Sequence, residues 1–259
     1  MEASVPPRIG CVKYINARPL IRGWRGAVEF DHPSALCRRL AAGELKVALV
    51  SSFEFLRNPV YTIVDHVAIA SDGAVYSVFL AQRGAGDSRE IELDPASTTG
   101  VSLLRCLLAE QGEPWREHVA PLDPLTELHS GRARLLIGDQ AIRFRHKFGE
   151  RYCYLDLGEE WQARTGLPFV FALWLIRPEL KTAADVAGKL RELKDVNLAN
   201  LDELISEERE FSPDFLRFYY GTALRFDFGA REKAGLRFFW ELCVKHSLLK
   251  PPPGELRIA

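Results

Sequence analysis

The chain lacks the features that mark nucleic-acid-binding and membrane proteins. Its 34 Lys and Arg residues nearly balance its 35 Asp and Glu residues, which gives a net charge of −1. A near-neutral chain offers no general electrostatic attraction for a phosphate backbone or an anionic bilayer. No apolar run approaches the roughly 20 residues of a membrane helix, and no basic-then-apolar segment opens the sequence. We therefore expect no nucleic-acid partner, no membrane partner, no secretory signal and a cytoplasmic location.

The sequence also lacks the motifs of disulfide, metal and nucleotide sites. Its five cysteines are scattered and form no C-x-x-C pair, so we expect reduced thiols that lie mostly in the core. Its six histidines show no metal-ligand spacing, and neither a G-x-G-x-x-G nor a Walker motif is present. No G-x-S-x-G elbow supports a serine hydrolase. These absences give no sign of a metal or a nucleotide cofactor.

The most informative stretch is residues 9–20, where a strand runs into a polar corner. Residues 9–12 are apolar and predict a short buried strand, and the corner follows at residues 14–16. Pro19 suits the first turn of a helix, because the N–H that it lacks would be unpaired there anyway. Asn16 is thus expected at the carboxyl end of a strand, which is where open α/β sheets bind ligands.

Serine residues stand near two further strand ends. Residues 46–50 predict a buried strand that ends in Ser51 and Ser52. Residues 75–81 predict another strand, which carries Ser77. We therefore select Ser52 and Ser77 as candidate ligand-binding residues.

Hydroxyl residues also open the helix that is predicted after residue 97. Ser97, Thr98 and Thr99 precede its apolar stripe, and Gly112 ends it. The unpaired N–H groups and the positive dipole end of a helix favour an anion. The hydroxyls either cap this helix or hold a ligand carboxylate, and the sequence leaves both interpretations open.

Gly138 and Asp139 form a further corner between a strand predicted over residues 134–137 and a helix predicted over residues 140–148. Asp139 either caps this helix or faces a ligand, and capping is the favoured interpretation. A short helix is also predicted just before this unit, over residues 125–131.

Two segments are predicted to connect separate lobes. The loop at residues 83–94 is rich in Gly, Asp and Ser, whereas residues 169–176 are all apolar and predict a strand buried on both faces. With the crossings placed here, residues 1–82 and 177–259 form one α/β lobe and residues 83–176 form the other. A cleft between two such lobes is a usual place for a small ligand.

Several motifs along nearly the whole chain carry a family resemblance. They are Tyr-Ile-Asn-Ala-Arg-Pro-Leu at 14–20, Val-Ala-Leu-Val-Ser-Ser at 47–52, Ile-Ala-Ser-Asp-Gly at 69–73, Ile-Gly-Asp at 137–139 and Thr-Gly-Leu-Pro-Phe-Val-Phe-Ala at 165–172. Together they resemble the chorismate dehydratase family of the futalosine route of menaquinone biosynthesis. The resemblance implies a two-lobe, periplasmic-binding-protein-like type II fold with a central ligand cleft. It also implies the loss of water from chorismate to give 3-(1-carboxyvinyloxy)benzoate, without a cofactor.

The resemblance assigns roles to individual residues. Asn16 matches the family's corner asparagine, for which a catalytic role that orients the substrate is expected, and Ser77 matches a substrate-binding serine. Ser97 and Thr99 match helix-start hydroxyls that hold a carboxylate. The chain departs from the family pattern at Thr98, where arginine is frequent, and at Gly100, where serine is expected. The full set expected to bind substrate is Ser52, Ser77, Ser97, Thr98, Thr99, Gly138 and Asp139.

No corner supplies an obvious protein base, and this suggests a substrate-assisted mechanism. The lobes would close on chorismate and exclude water. The substrate's own side-chain carboxylate would take the ring proton beside the enolpyruvyl ether while Asn16 orients it, and such proximity lowers a barrier by roughly 7–11 kcal/mol. Two alternatives remain open: the related 1,4-dihydroxy-6-naphthoate synthase, which the Asn16 motif fits less well, and a non-catalytic small-anion-binding module. A homodimer is also left open.

Overall fold

Two five-stranded sheets form the framework of the protein. The computed structural model describes residues 7–84, 89–94, 97–112, 114–119, 123, 125–129, 131–251 and 255–259. The strands are β1 Ile9–Val12, β2 Val28–Asp31, β3 Val47–Ser51, β4 Thr62–Ser71, β5 Val78–Gln82, β6 Glu90–Leu93, β7 Arg116–Val119, β8 Arg132–Ile137, β9 Cys153–Asp156 and β10 Phe169–Ile176. The helices are α1 Arg18–Ile21, α2 Pro33–Ala41, α3 Ser52–Arg57, α4 Thr98–Gln111, α5 Gly138–Phe148, α6 Leu157–Thr165, α7 Ala183–Ala199, α8 Leu201–Ser206, α9 Pro213–Phe218 and α10 Ala230–Lys245.

The two sheets share one layout. The first has the order β2-β1-β3-β10-β4, and the second has the order β7-β6-β8-β5-β9. In each sheet the fourth strand runs antiparallel to both of its neighbours. We call the first sheet with α1–α3 and α7–α10 the first lobe, and the second sheet with α4 and α5 the second lobe. Helix α6 lies between β9 of the second sheet and β10 of the first.

Strand β10 forms because all eight of its residues are apolar, and it lies deep inside the first sheet. It pairs with β3 at Leu173 and Val50 and with β4 at Leu173 and Ala68. The main hydrophobic core continues from this sheet into the second lobe, where it includes Leu103. A smaller cluster around Phe79 and Phe144 covers part of the second lobe.

Sheet membership corrects both predicted lobe boundaries. Strand β5 pairs with β8 and β9, so residues 78–82 belong to the second lobe rather than the first. Strand β10 pairs with β3 and β4, so residues 169–176 belong to the first lobe rather than the second. The connections are therefore residues 72–77 and residues 157–168. Apolar runs show that a strand is buried, but they do not show which sheet receives it. The loop predicted as a crossing over residues 83–94 is also wrong in part, because residues 90–93 form β6 inside the second sheet. Residues 85–88 of that loop lie outside the described residues.

Other predicted elements are confirmed with small shifts, and one is wrong. Strands β1 and β3 and helices α4 and α5 lie close to where the sequence predicts them. The helix predicted over residues 125–131 is not formed by residues 125–129, which make a turn and an irregular segment. Leu128 is nevertheless buried in the smaller core cluster. All five cysteines are free, and only Cys153 among them is exposed.

Candidate active site

Asn16 lies in a short 3-10 turn, Ile15–Ala17, between β1 and α1. The turn is held on two sides by side chains that are distant in sequence. The N–H of Ile15 donates to Oδ1 of Asp139 at 2.9 Å, and the hydroxyl of Tyr220 donates to the carbonyl of Ile15 at 2.9 Å. Both bonds act on the residue that precedes Asn16, so they fix the direction in which its side chain leaves the backbone.

The Asn16 side chain has an unsatisfied polar atom. Its Oδ1 is buried and has no hydrogen-bond partner among the described residues. The amide also interacts with the hydroxyl of Tyr219, which in turn donates to Oγ of Ser77 at 2.7 Å. Tyr219 is fully buried, and this burial raises its pKa far above the ordinary range. Because a buried polar atom without a partner is costly, the free Oδ1 indicates a place for a ligand group.

The hydroxyls at the start of α4 have different tasks. Ser97 is the N-cap residue, yet its Oγ caps nothing and is buried without a partner in the described part of the chain. Thr99 instead reaches into the first lobe, where its Oγ1 bonds to the Ser51 hydroxyl and accepts the N–H of Phe53 at 3.2 Å. Of the two interpretations left open above, ligand binding therefore fits Ser97, whereas Thr99 joins the lobes.

Both lobes line a single cleft of about 520 Å³, counting the space at its open mouth. Its polar wall consists of Asn16 and Ser51 from the first lobe and Ser97, Thr98, Thr99 and Gly138 from the second. Its apolar wall includes Val12, Ile69, Val78, Ile137 and Phe171. Such a cleft suits a small molecule with a flat apolar body and polar groups at its edges.

Five of the eight predicted site residues line this cleft: Asn16, Ser97, Thr98, Thr99 and Gly138. The other three are buried nearby, and their side chains bond to protein groups. Ser52 donates to the carbonyl of Val170 at 2.7 Å, because β3 extends one residue further than predicted and turns Ser51 toward the cleft instead. Ser77 accepts from Tyr219, so it lies one hydrogen bond away from Asn16.

Asp139 is the third residue outside the cleft wall, and the capping interpretation of it is wrong. It lies inside the first turn of α5, where it makes no side-chain capping bond to its own helix, and its carboxylate bonds to Ile15 of the other lobe. Burial raises the pKa of Asp139 to about 6, although the Ile15 N–H and the Arg143 guanidinium oppose that shift.

Sequence reasoning missed three residues of this region. Ser51 and Tyr14 line the cleft, and Tyr219 bonds to the side chains behind it. The ring of Tyr14 packs on Gly138, where a Cβ atom would lie 2.9 Å from the ring. Tyr219 gave no usable signal, because its partner Ser77 is 142 positions away and an aromatic pair within a helix predicts only burial.

The described residues contain no group of three or more His, Cys, Asp or Glu side chains placed to hold a metal ion. They also contain no helix with the length and apolar character needed to cross a membrane.

Comparison with known proteins places the chain in a family. A family model described as menaquinone biosynthesis matches residues 7–245. The chain is also 31% identical to the chorismate dehydratase of Thermus thermophilus over 262 aligned positions, which cover 91% of this chain and 94% of the relative. The chain belongs to the chorismate dehydratase family. This membership confirms the resemblance that the motifs from residue 14 to residue 172 carry.

Solved structures share the fold of this member of the chorismate dehydratase family. A protein from Archaeoglobus fulgidus superposes with a TM-score of 0.72 at 19% identity, covering 94% of this chain and 98% of its own. The periplasmic aliphatic sulphonate-binding protein of Escherichia coli superposes with a TM-score of 0.59 at 12% identity, covering 95% and 88%. These likenesses concern the fold alone, and they confirm the predicted periplasmic-binding-protein-like α/β architecture.

Proposed function

We propose that this protein is a chorismate dehydratase, a lyase that converts chorismate to 3-(1-carboxyvinyloxy)benzoate and water in menaquinone biosynthesis. One observation carries the proposal: Oδ1 of Asn16 and Oγ of Ser97 are both buried without a partner among the described residues, and both residues line one cleft between the lobes. The name of the Thermus thermophilus relative supports the substrate.

The chemistry of chorismate matches the two kinds of wall in this cleft. Chorismate carries two carboxylates and a hydroxyl on a largely apolar ring. The amino end of α4 offers unpaired N–H groups and the Ser97 hydroxyl to one carboxylate. The side chains of Val12, Ile69 and Phe171 offer an apolar surface to the ring.

Gly100 adds no side chain at this helix start, and a Cβ there would lie 2.8 Å from Oγ of Ser97. Ser97 thus occupies the space that a side chain at residue 100 would need.

The reaction breaks two bonds of the substrate and forms an aromatic ring. The C–H bond beside the enolpyruvyl ether breaks, and its proton passes to the side-chain carboxylate of the same molecule. The electron pair of that bond forms a ring double bond while the neighbouring C–O bond breaks. The departing hydroxyl and the proton together make water. The gain of aromaticity favours the products, and the described cleft wall needs to supply no base.

The protein's contribution in this proposal is orientation. Asn16 holds the substrate through its amide, whose Oδ1 is free to accept from a ligand donor. The hydroxyl of Tyr219, which is bonded to Ser77, holds the same amide on the protein side. Closure of the lobes keeps solvent from the carboxylate that acts as base. Orientation of this kind can contribute roughly 7–11 kcal/mol to lowering a barrier.

The test is to incubate the purified protein with chorismate and follow the products by chromatography and mass spectrometry. We expect an aromatic product lighter than chorismate by one water. The Asn16→Ala variant should lose about 100-fold or more in kcat, since an orienting contact made in the transition state is removed. A dehydratase from a relative serves as the positive control. Binding of chorismate without turnover would instead favour an anion-binding module, and full turnover by Asn16→Ala would contradict the role given to Asn16.

We also propose that the enzyme works in the cytoplasm, where the five free cysteines would remain reduced. A homodimer remains a prediction, which light scattering after size-exclusion chromatography would test.

A further inference from the structure

The first turn of α5 touches the Asn16 corner at two neighbouring positions. The ring of Tyr14 packs on the backbone of Gly138, which has the positive φ of +60° that favours glycine. The next residue, Asp139, reaches Ile15 and accepts its N–H at 2.9 Å. Asp139 is only 7% exposed. The second lobe thus contacts the corner of the first lobe on both residues that precede Asn16.

This carboxylate makes contacts that neither a capping nor a substrate-binding residue would need. It makes no side-chain capping bond to its own helix, and it lies outside the cleft wall among the described residues. Its bond spans 124 positions of sequence and joins α5 of one lobe to the 3-10 turn of the other. From within the first lobe, the hydroxyl of Tyr220 donates to the carbonyl of Ile15, which belongs to the next peptide group.

We propose that Asp139 is a positioning residue, which fixes the Asn16 corner from the second lobe and so links lobe closure to the orientation of the Asn16 amide. When the lobes separate, the Ile15 N–H loses its partner while Tyr220 remains. When they close, the peptide groups before and after Ile15 are both held, and the orientation of Asn16 is fixed. The catalytic part of this inference rests on the proposed function.

The surroundings of Asp139 determine how the link responds to pH. Burial raises the pKa of this carboxyl to about 6, so it is ionised at neutral pH and protonated below that value. A protonated carboxyl is a weaker acceptor for the Ile15 N–H than a carboxylate is. The charged and titratable groups that face it are Arg143 on its own helix, Glu208 and Glu210 after α8, and the hydroxyls of Tyr14, Tyr219 and Tyr220.

The test compares Asp139→Ala, Asp139→Asn and Tyr220→Phe with the natural chain on chorismate, from about one unit below to two units above the pKa of Asp139. Asp139→Ala should lower kcat by about 10- to 100-fold, the range for a lost hydrogen bond to a charged group, with KM changed less than about threefold. Asp139→Asn keeps an acceptor oxygen without the charge, so its kcat should lie between those of Asp139→Ala and the natural chain, without the acidic fall in activity. Tyr220→Phe is the matched control, because it removes the other side-chain bond to Ile15 and should keep that acidic fall.

A double-variant cycle separates positioning from direct substrate binding. In an Asn16→Ala background, Asp139→Ala should cost almost nothing further, because the group that it positions is gone. A full further loss in that background would overturn the inference. So would a loss confined to KM, or an Asp139→Ala variant with the natural kcat.

Hydrogen exchange at the Ile15 amide tests the contact independently of turnover. Asp139→Ala should speed the exchange of peptides that span residues 9–20, and Asp139→Asn, which keeps an uncharged acceptor, should speed it less. If the natural chain does not turn over chorismate, the proposed function fails while this measurement still decides the inference. Unchanged exchange in Asp139→Ala would overturn it.

Discussion

Two hydroxyl side chains at the start of α4 contribute differently to the stability of the folded chain. Ser97 and Thr99 both look like helix caps, and both line the cleft. Oγ of Ser97 is unpartnered among the described atoms, so the protein carries its desolvation cost until a ligand arrives. Thr99 is already paired with Ser51 and with the N–H of Phe53, so it contributes to contact between the lobes. In the function that we propose, Ser97 binds the ligand, whereas Thr99 contributes to contact between the lobes.

Substitution of these two residues should therefore affect different quantities. Ser97→Ala should raise the Kd for chorismate by about 10-fold, the value of one hydrogen bond to a charged group, and should leave the free energy of unfolding unchanged or higher. Thr99→Val, which keeps the shape and removes the hydroxyl, should lower the free energy of unfolding by about 1–2 kcal/mol. Calorimetric titration and chemical denaturation measure the two effects. Equal behaviour of the two variants in both measurements would contradict this division.

The Asp139 carboxyl should also affect stability as a function of pH. Its pKa is about 6 in the folded chain, against an ordinary value of 3.8. Between those values the folded state holds more protons than the unfolded state, so the free energy of unfolding falls as the pH rises. Asp139→Asn does not titrate, so its stability relative to the natural chain should increase from about pH 4 to about pH 7, by on the order of 2 kcal/mol. Chemical denaturation at several pH values measures this difference, and a constant difference would show that Asp139 is not the titrating group.

At the level of single residues, the sequence predicted cleft positions better than contacts. The corner at Asn16 and the hydroxyls before α4 were predicted because strand ends and helix starts have local patterns. The bonds from Asp139 to Ile15 and from Tyr219 to Ser77 join residues more than 100 positions apart. Such contacts depend on how the lobes pack, and no local pattern records that.

Among the strands, apolar ones were easier to predict than those that mix apolar and charged residues. β10 was predicted because its eight residues are apolar, and β3 because four of its five residues are apolar. β2 and β7 are edge strands of their sheets, and their residues are half-buried or exposed. A mixed run such as Val-Glu-Phe-Asp gives no alternating signal that is long enough to recognise. The missed strands β2, β6 and β7 each mix apolar and charged residues, and β6 was missed although it lies inside its sheet.

Strands β6 and β8 are joined by an ion pair that is removed from solvent. Nε of Arg134 donates to Oε2 of Glu92 at 2.8 Å, and each residue is 1% exposed. Nη1 of Arg134 also donates to the carbonyl of Thr126 at 3.0 Å, which holds the irregular segment before β8 against the sheet. The pair with Glu92 thus explains how Arg134, a charged residue, can lie inside the buried strand β8.

Removal of one partner of this pair should be costly. Glu92→Gln leaves the Arg134 guanidinium buried without a full countercharge, so the free energy of unfolding should fall by about 3–5 kcal/mol. The double variant Glu92→Gln and Arg134→Met removes both charges, and it should recover much of that loss. Denaturant unfolding curves give both numbers. If the double variant is no more stable than Glu92→Gln, the loss does not come from an unpaired charge.

At the scale of the whole molecule, one carboxylate holds the two connections together. Asp156 ends β9, and its Oδ1 accepts the N–H of Val75 at 3.0 Å and that of Gly158 at 2.9 Å. Its Oδ2 accepts the N–H of Tyr76 at 2.7 Å. Val75 and Tyr76 belong to the first connection and Gly158 to the second. The two connections are therefore tied to each other through Asp156, so we expect a change at this point to alter how the cleft opens.

Gly158 allows the two connections to lie in backbone contact, and we expect Gly158→Ala to separate them. A Cβ at this position would lie 2.5 Å from Oγ of Ser71 and 2.6 Å from the carbonyl oxygen of Gly73, both closer than ordinary contact allows. We expect a loss of about 1–3 kcal/mol in the free energy of unfolding, as for other overpacked sites. We also expect a larger radius of gyration by small-angle X-ray scattering in the absence of ligand. Gly188→Ala is the matched control, because no described atom lies within 4 Å of its added methyl group, and the helix interior should gain about 0.5–1 kcal/mol. If Gly158→Ala kept the radius of gyration of the natural chain and bound chorismate equally well, contact between the connections would not control opening of the cleft.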